Sequence, residues 1–210
     1  MLSPDSHSAS HALEKSKISE SEIILRRVLK SSPQSLWLDT IRRTRGPEHD
    51  TLVYWMLNQT ECDFAVAVHA FYRSKPADHL DDPRPLPTRP GPSEIFALVL
   101  HNWDTGSYRT HRLKVENVDV NARTLTRVNQ KAMARQRGTM PFTIPSRLLQ
   151  PIGGSVVPVP PYMLPSEASH LWPLYHDMGM RVPDTPPGIR RKLAKFIDFI
   201  KGFGLRRPAT

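Results

Sequence analysis

The sequence predicts a mainly α-helical protein with an antiparallel helical core, a short irregular or β segment and a proline-broken basic C-terminal part. Apolar residues recur at helical spacing through the first half of the chain. The breaks between these stretches are short, which is typical of antiparallel neighbouring helices. The 21 prolines among 210 residues are about twice the usual share, and they limit long regular structure.

The chain divides into four predicted segments. Residues 1–16, rich in Ser and His, are expected to form a disordered lead-in, and residues 17–150 to form the helical core domain. A proline-rich crossing over 151–187 and a basic amphipathic C-terminal helix over 188–210 complete the chain. A chain of this length can bury a sizeable core.

The first two helices have distinct start signals. Ser19 and Glu22 form a capping box, in which each side chain can bond the other's backbone amide, so the first helix is predicted from Ser19. The second is predicted from an N-cap at Ser32, with a proline after it, to the Gly46-Pro47 break. Their predicted inward-facing residues are Ile24, Leu25, Val28, Leu29, Trp37 and Ile41.

Two further helices are predicted close behind. Pro47 opens the third helix, and Thr60 is expected to cap a fourth that runs over 61–74. The predicted buried residues of these two helices are Leu52, Trp55, Met56, Phe64, Ala67, Val68 and Phe71.

The middle of the chain is less regular. Six prolines within 76–92 predict an extended connector or a long surface loop. A fifth helix is predicted from Ser93 to Gly106, where a glycine can end it. A weak apolar alternation over 107–120 indicates one or two short strands, and residues 122–137 are predicted to be helical again. The inward-facing residues of that last helix are Leu125, Val128 and Ala132.

Two stretches over residues 50–112 carry a family pattern. The first begins with Cys-Asp and ends with Phe followed by an aromatic residue, with Val66 where a Thr is usual; the second is Trp-x-x-Gly-x-Tyr. The residues that carry the pattern are Cys62, Asp63, Phe71, Tyr72, Trp103, Gly106 and Tyr108. They resemble a bacterial family without an established chemistry. The resemblance implies a mostly helical cytosolic domain in which these residues are structural, and by analogy a partner-binding factor such as an antidote to a toxin.

Charge is distributed unevenly along the chain. Residues 1–119 hold 15 Lys and Arg against 16 Asp and Glu, whereas residues 120–210 hold 14 against 4. The net charge of +9 is therefore −1 in the first part and +10 in the second. Such a one-sided charge bears on the choice of partner rather than on the fold.

Four cations recur every four residues in the helix predicted over 122–137, namely Arg123, Arg127, Lys131 and Arg135. They share one helix face, where stacked like charges destabilise one another mildly. The pattern predicts a surface for an acidic protein, nucleic acid or anionic lipid, and a solvated face partly neutralised by the acidic first half explains it equally well. No aromatic residue lies in this helix, which disfavours specific nucleic-acid recognition.

The C-terminal helix combines an apolar stripe with a second group of cations, namely Arg190, Arg191, Lys192 and Lys195. This is the pattern of a helix that binds a membrane surface or a partner's groove. A tail helix that docks on the core with its cations outward has the same pattern.

Catalytic signals are weak. Cys62, the single cysteine, excludes an internal disulfide and a multi-thiolate metal site, although a cysteine near a helix start could be a nucleophile. His176 beside Asp177 could act as an oriented base, whereas His69 is expected to be a hydrogen-bonded core residue. No phosphate-binding loop, nucleophile elbow or metal-ligand spacing accompanies them. No catalytic residue, metal or cofactor is therefore predicted.

No apolar run approaches the length of a membrane span and no secretory signal is present, so the sequence predicts a soluble cytoplasmic protein. The resemblance implies that it is a bacterial one. The predicted function is non-enzymatic binding of an acidic protein partner, in the manner of an antidote or adaptor. Peripheral binding of nucleic acid or an anionic membrane through the basic half is the alternative, and an enzyme of unfamiliar type is the third hypothesis.

Overall fold

The computed structural model describes residues 18–135, 140–151, 153–157 and 169–182. They fold into a mainly α-helical structure around a helical core, so the predicted fold class is confirmed. The elements in chain order are α1 Glu20–Lys30, α2 Gln34–Arg43, a 3-10 turn Pro47–His49 leading into α3 Asp50–Leu57, α4 Phe64–Arg73, α5 Pro76–Asp81, α6 Ile95–Asp104, α7 Ala122–Arg135, α8 Ser146–Leu149, and a 3-10 turn Ser169–Leu171 leading into α9 Trp172–Asp177.

Helix α4 lies at the centre of the core. It contacts α2, α3, α5 and α6. All of its residues except His69 and Arg73 are buried, as expected for a helix that is apolar on every side. The residues predicted to form its buried face are therefore inside the protein.

The first helix begins as predicted, and the second does not. The Ser19 side chain caps α1 by accepting a hydrogen bond from the Glu22 amide at 3.1 Å. The predicted cap at Ser32 is wrong, because Pro33 is the N-cap of α2. The Ser32 hydroxyl instead donates to the Val28 carbonyl at 2.8 Å, so it bonds the end of α1.

The fourth helix starts later than predicted. The Thr60 hydroxyl bonds the neighbouring Glu61 carboxylate at 3.2 Å and does not cap the helix. Asp63 takes the cap position, where its Oδ1 accepts from the Ala65 amide at 2.9 Å. Asp caps at least as well as Thr, and helix α4 therefore begins at Phe64.

The proline-rich stretch over 76–92 is partly helical. Pro76 occupies the first turn of α5, where its fixed φ suits a helix and its missing N–H costs nothing. Lys75 reverses the chain before it with a left-handed φ of +55°. The predicted connector is thus wrong over 76–81, while residues 82–92 are non-helical.

Helix α6 ends at the predicted glycine. Gly106 has a φ of +68°, and its amide bonds the Trp103 carbonyl at 2.9 Å. The Ser107 amide bonds the Asn102 carbonyl at 2.8 Å, which completes a Schellman motif. A left-handed residue in this motif is most easily a glycine.

No strand forms over the predicted β segment at 107–120, and the described residues contain two isolated bridges, Asp63 with Thr110 and Leu113 with Ser155. At the second bridge the Lys114 amide bonds the Ser155 carbonyl at 2.9 Å. Gly153 lies directly against this backbone, because a Cβ on it would overlap the Leu113 carbonyl. The predicted strands are thus replaced by two single bridges, one at Thr110 and one at Leu113.

Helix α9 packs on α1 and carries buried apolar residues into the core. This part of the predicted proline-rich crossing is therefore helical. The lead-in over 1–16 and the helix over 188–210 lie outside the described residues. None of the helices in the described ranges combines the length and the apolar character that a membrane span requires.

Candidate functional site

The four cations predicted to share a helix face lie on α7, which Asn121 caps by accepting from the Arg123 amide at 2.9 Å. Arg123, Arg127 and Arg135 are exposed, and the Lys131 side chain is 24% exposed. The apolar side of the helix packs against α5 and α8. The cations therefore lie on the solvent side of α7, next to its buried apolar residues.

Three of these cations meet at Asp81, the last residue of α5. Lys131 donates to its Oδ1, and Nη2 of Arg127 lies 3.8 Å from its Oδ2. Nη2 of Arg135 donates to the Asp81 backbone carbonyl at 3.1 Å. The hydrogen bond from Lys131 is the largest cause that lowers the pKa of the Asp81 carboxyl. One carboxylate thus partly neutralises a group of four cations.

The outer side of α7 is open around Arg123. Its guanidinium has no ion-pair or hydrogen-bond partner among the described residues. Met133, near the C-terminal end of the helix, is 68% exposed. We define the α7 face as the following residues: Arg123, Thr126, Arg127, Gln130, Lys131, Met133 and Arg135.

The second predicted group of cations lies outside the described residues. It consists of Arg190, Arg191, Lys192 and Lys195. Both roles expected of that helix, docking on the core and binding a partner or membrane, stay predictions.

Asp63 organises the segment that follows α6. Its Oδ1 caps α4, and its Oδ2 accepts from the Arg112 amide at 2.8 Å and from the Leu113 amide at 3.4 Å. Its own amide donates to the Gln34 side chain at 2.9 Å. This fully buried carboxylate therefore ties α2, α4 and residues 110–113 together without offering a free oxygen to solvent.

The aromatic residues of the family pattern also lie in or against the core. Phe64 contacts the Trp103 ring at 5.5 Å and the Tyr108 ring at 6.2 Å between centroids. Phe71 meets the Tyr72 ring edge-on at 5.1 Å, and the Tyr72 hydroxyl donates to the Leu148 carbonyl at 2.9 Å. Among the aromatic residues of the pattern, only Trp103 is half-exposed and open to a partner.

Sequence reasoning missed a buried charged network around Asp119. Nε and Nη2 of Arg42 donate to the two carboxylate oxygens of Asp119 at 2.7 and 2.8 Å. Nη1 of Arg42 donates to the Val157 carbonyl at 2.8 Å. The Glu116 amide donates to Oδ2 at 2.9 Å. Burial alone would raise the pKa of Asp119, but hydrogen bonds from Arg42 and His69 outweigh it and lower the pKa to about 2.

His69 completes this network. Its Nδ1 lies 2.9 Å from Asp119 Oδ1, and because a carboxylate only accepts, Nδ1 carries the hydrogen. An Asp–His pair can orient a general base. No nucleophile is hydrogen-bonded to His69 among the described residues. The pair therefore joins helix α4 to the 116–120 turn.

A second buried ion pair holds α9 against α2. Nε of Arg43 donates to Asp39 at 2.7 Å within α2, and Nη1 donates to the Arg181 carbonyl at 2.7 Å. The same guanidinium lies 5.1 Å from the centroid of the Tyr175 ring. Its charge is thus fully engaged inside the protein.

The catalytic candidates have no catalytic surroundings among the described residues. Cys62 is buried, and desolvation followed by the nearby Asp63 and Glu61 charges raises the pKa of its thiol. A reactive cysteine needs the opposite shift. His176 is exposed on α9, and the Asp177 carboxylate beside it accepts from the Ser21 hydroxyl of α1. No group of three metal-ligating side chains occurs in the described ranges.

A cleft of about 700 Å³ lies between residues 45–50, α5 and the start of α6. Arg73 in its wall is paired with Asp50 at 2.7 Å. The His79 ring stacks on Phe96 at 4.1 Å, and desolvation lowers the pKa of this histidine. Charges of both signs line the cleft, so it does not select one class of ligand.

Comparison of the chain with protein-family models, with curated proteins and with solved structures finds no match. The resemblance built on the Cys-Asp helix and the Trp-x-x-Gly-x-Tyr element therefore stays a prediction.

Proposed function

We propose that this chain is a non-enzymatic binding protein of the bacterial cytosol that holds an acidic protein partner on the α7 face, as an antidote or adaptor does. The observation that carries the proposal is the charge imbalance on this face. Four cations lie along α7, which has no carboxylate of its own, and Asp81 is the one carboxylate paired with them among the described residues.

Electrostatics favours a partner that brings carboxylates. Like charges four residues apart on a helix repel each other by about 0.2–0.5 kcal/mol per pair. An acidic partner relieves this repulsion and forms exposed ion pairs of roughly 0.2–1 kcal/mol each. Pairs of this kind orient a partner and speed its association more than they hold it.

An exposed apolar side chain lies on the same helix. Met133 is 68% exposed and can therefore contact a partner. Methionine adapts its shape to irregular partner surfaces. A bare polyanion would leave this side chain unused, which supports a protein partner.

Nucleic acid or an anionic membrane is the second candidate, because the exposed cations repeat regularly along α7 and could follow a row of phosphates. The α7 face has no aromatic side chain on which a base could stack. An enzyme stays third, since neither Cys62 nor His69 is joined to a second reacting group among the described residues.

A photo-crosslinking amino acid at position 133, in cells that express the protein natively, tests the proposal. The expected product is a crosslinked acidic segment of a protein. It should disappear in the variant Arg123→Gln, Arg127→Gln, Lys131→Gln and Arg135→Gln. It should persist in a control that loses four exposed cations elsewhere, namely Arg27→Gln, Lys30→Gln, Arg89→Gln and Arg109→Gln.

The same crosslinker at Ile23, which is 48% exposed on α1, provides the background. A product at position 133 that contains nucleic acid or lipid would overturn the proposal in favour of the second candidate. A protein product that is equally abundant in both charge variants would overturn the role of the α7 face.

A further inference from the structure

The contact between α5 and α7 already shows how the α7 face binds an acidic group. Asp81 places its carboxylate between Arg127 and Lys131, and its backbone carbonyl accepts from Arg135. That carbonyl belongs to the C-terminal end of α5, where a helix carries partial negative charge. An acidic helical element is therefore bound to this face within the chain itself.

The internal contact leaves room for more carboxylates. The Asp81 side chain is 56% exposed and the Arg127 side chain 61% exposed, so both remain open to solvent. Arg123, one turn further along, has no partner among the described residues. The Arg123 end of the face is thus unfilled, and the Arg127 contact at 3.8 Å is loose.

We infer that the partner, whose existence rests on the function proposed above, presents a helix with acidic residues every four positions. This helix lies along α7 with carboxylates opposite Arg123 and Arg127. Asp81 competes with the partner for Arg127 and Lys131, so the α5 contact lowers the affinity for every acidic ligand of this face.

Spacing selects a helical partner. Cations four residues apart on α7 are about 6 Å apart along its axis, and acidic residues four apart on a second helix repeat at the same distance. On an extended strand, alternate side chains repeat at roughly 6.6 Å and drift by about 2 Å over the length of the four cations. The helical arrangement therefore matches the axial spacing of Arg123 and Arg127 more closely than a strand does.

Asp81 and Asp82 form a matched pair for the competition. Both are exposed neighbours, but Asp82 pairs with Arg84 and not with α7. Removing the Asp81 charge should free Arg127 and Lys131 for the partner. Removing the Asp82 charge should leave them as they are.

Fluorescence anisotropy of the full chain with labelled helical peptides provides the test. The first peptide has Glu at every fourth position, and the second has the same composition with its Glu residues scattered around the helix. We expect the first to bind about tenfold more tightly, since two or more exposed ion pairs are lost in the second. Asp81→Asn should tighten binding of the first peptide by about threefold and Asp82→Asn should not change it.

Equal affinity for the two peptides would overturn the inference that the partner is a helix with acidic residues every four positions. Equal affinity of Asp81→Asn and the unaltered protein for the first peptide would overturn the competition between Asp81 and the partner. The proposed function would survive either result, provided that the four Arg/Lys→Gln substitutions on α7 still abolish binding. Duplex DNA that binds tightly while neither peptide binds would overturn both the inference and the proposed function.

Discussion

Arg42 and Asp119, 77 residues apart in the chain, form a two-point ion pair inside the core, with donor–acceptor distances of 2.7 and 2.8 Å. Both side chains are at most 1% exposed. Helix α7 begins three residues after Asp119, at Ala122. The pair therefore fixes the point from which the α7 face extends.

Removing one partner of this pair should destabilise the protein strongly. Asp119→Asn leaves the Arg42 charge buried without its carboxylate, and we expect a loss of about 3–5 kcal/mol in the free energy of unfolding. Urea denaturation followed by circular dichroism measures the loss. The double variant Arg42→Met and Asp119→Leu should lose less than Asp119→Asn alone, because it leaves no unpaired charge. A larger loss in the double variant would contradict this view of the pair.

The same carboxylate should make stability depend on acid. The pKa of Asp119 is about 2 in the folded protein, below the usual 3.8 of an aspartate side chain. A folded pKa below the unfolded one adds stability above pH 4 that is lost as the pH falls towards 2, here about 2 kcal/mol. The stability difference between the unaltered protein and Asp119→Asn, measured from pH 6 to 2, should therefore shrink in that window. A constant difference would show that Asp119 does not titrate this way.

Asp63 should be essential for the segment after α6. Asp63→Ala removes the cap of α4, at about 1 kcal/mol, and the acceptor of the Arg112 and Leu113 amides, at roughly 1 kcal/mol each. A total loss of about 2–4 kcal/mol in denaturation experiments is expected. Asp104→Ala, which changes an exposed carboxylate, should stay within about 0.5 kcal/mol of the unaltered protein. Equal effects of the two substitutions would refute the capping role.

Gly153 should not tolerate a side chain. A Cβ there would lie 2.7 Å from the Lys114 Cα and would overlap the carbonyl before it, so the backbone must move. Gly153→Ala should lower the free energy of unfolding by about 1–3 kcal/mol. Gly91→Ala is the control, since the nearest atom to its Cβ, Glu94 Oε2, would be 3.7 Å away. A neutral Gly153→Ala would mean that the two backbones do not cross this closely.

Local sequence signals predicted the helices far better than the contacts between them. Helical periodicity placed the α7 cations on one face, and the capping box at Ser19 marked the start of α1. Proline misled at α5, because Pro76 starts a helix as readily as it ends one. The error at the fourth helix had the same kind of cause, since Thr60 and Asp63 are both good caps and only packing distinguishes them.

The long-range partners had no sequence signal. Asp81 and Lys131 are 50 residues apart, and His69 and Asp119 are also 50 apart. Ion pairs of this kind depend on how helices pack, which single-sequence patterns do not encode. The charge imbalance between the halves of the chain indicated a basic surface, either open or partly neutralised by the acidic first half, but not which carboxylate would pair with it.

The most direct measurement is a titration of the isotope-labelled protein with the helical peptide that has Glu at every fourth position, followed through backbone amide signals. The largest shifts should fall on residues 122–135 and around Asp81 of α5. Amides of α1, which carries the exposed cations Arg27 and Lys30, should not move. Shifts spread equally over α1 and α7, or confined to other parts of the protein, would contradict a docking surface on α7.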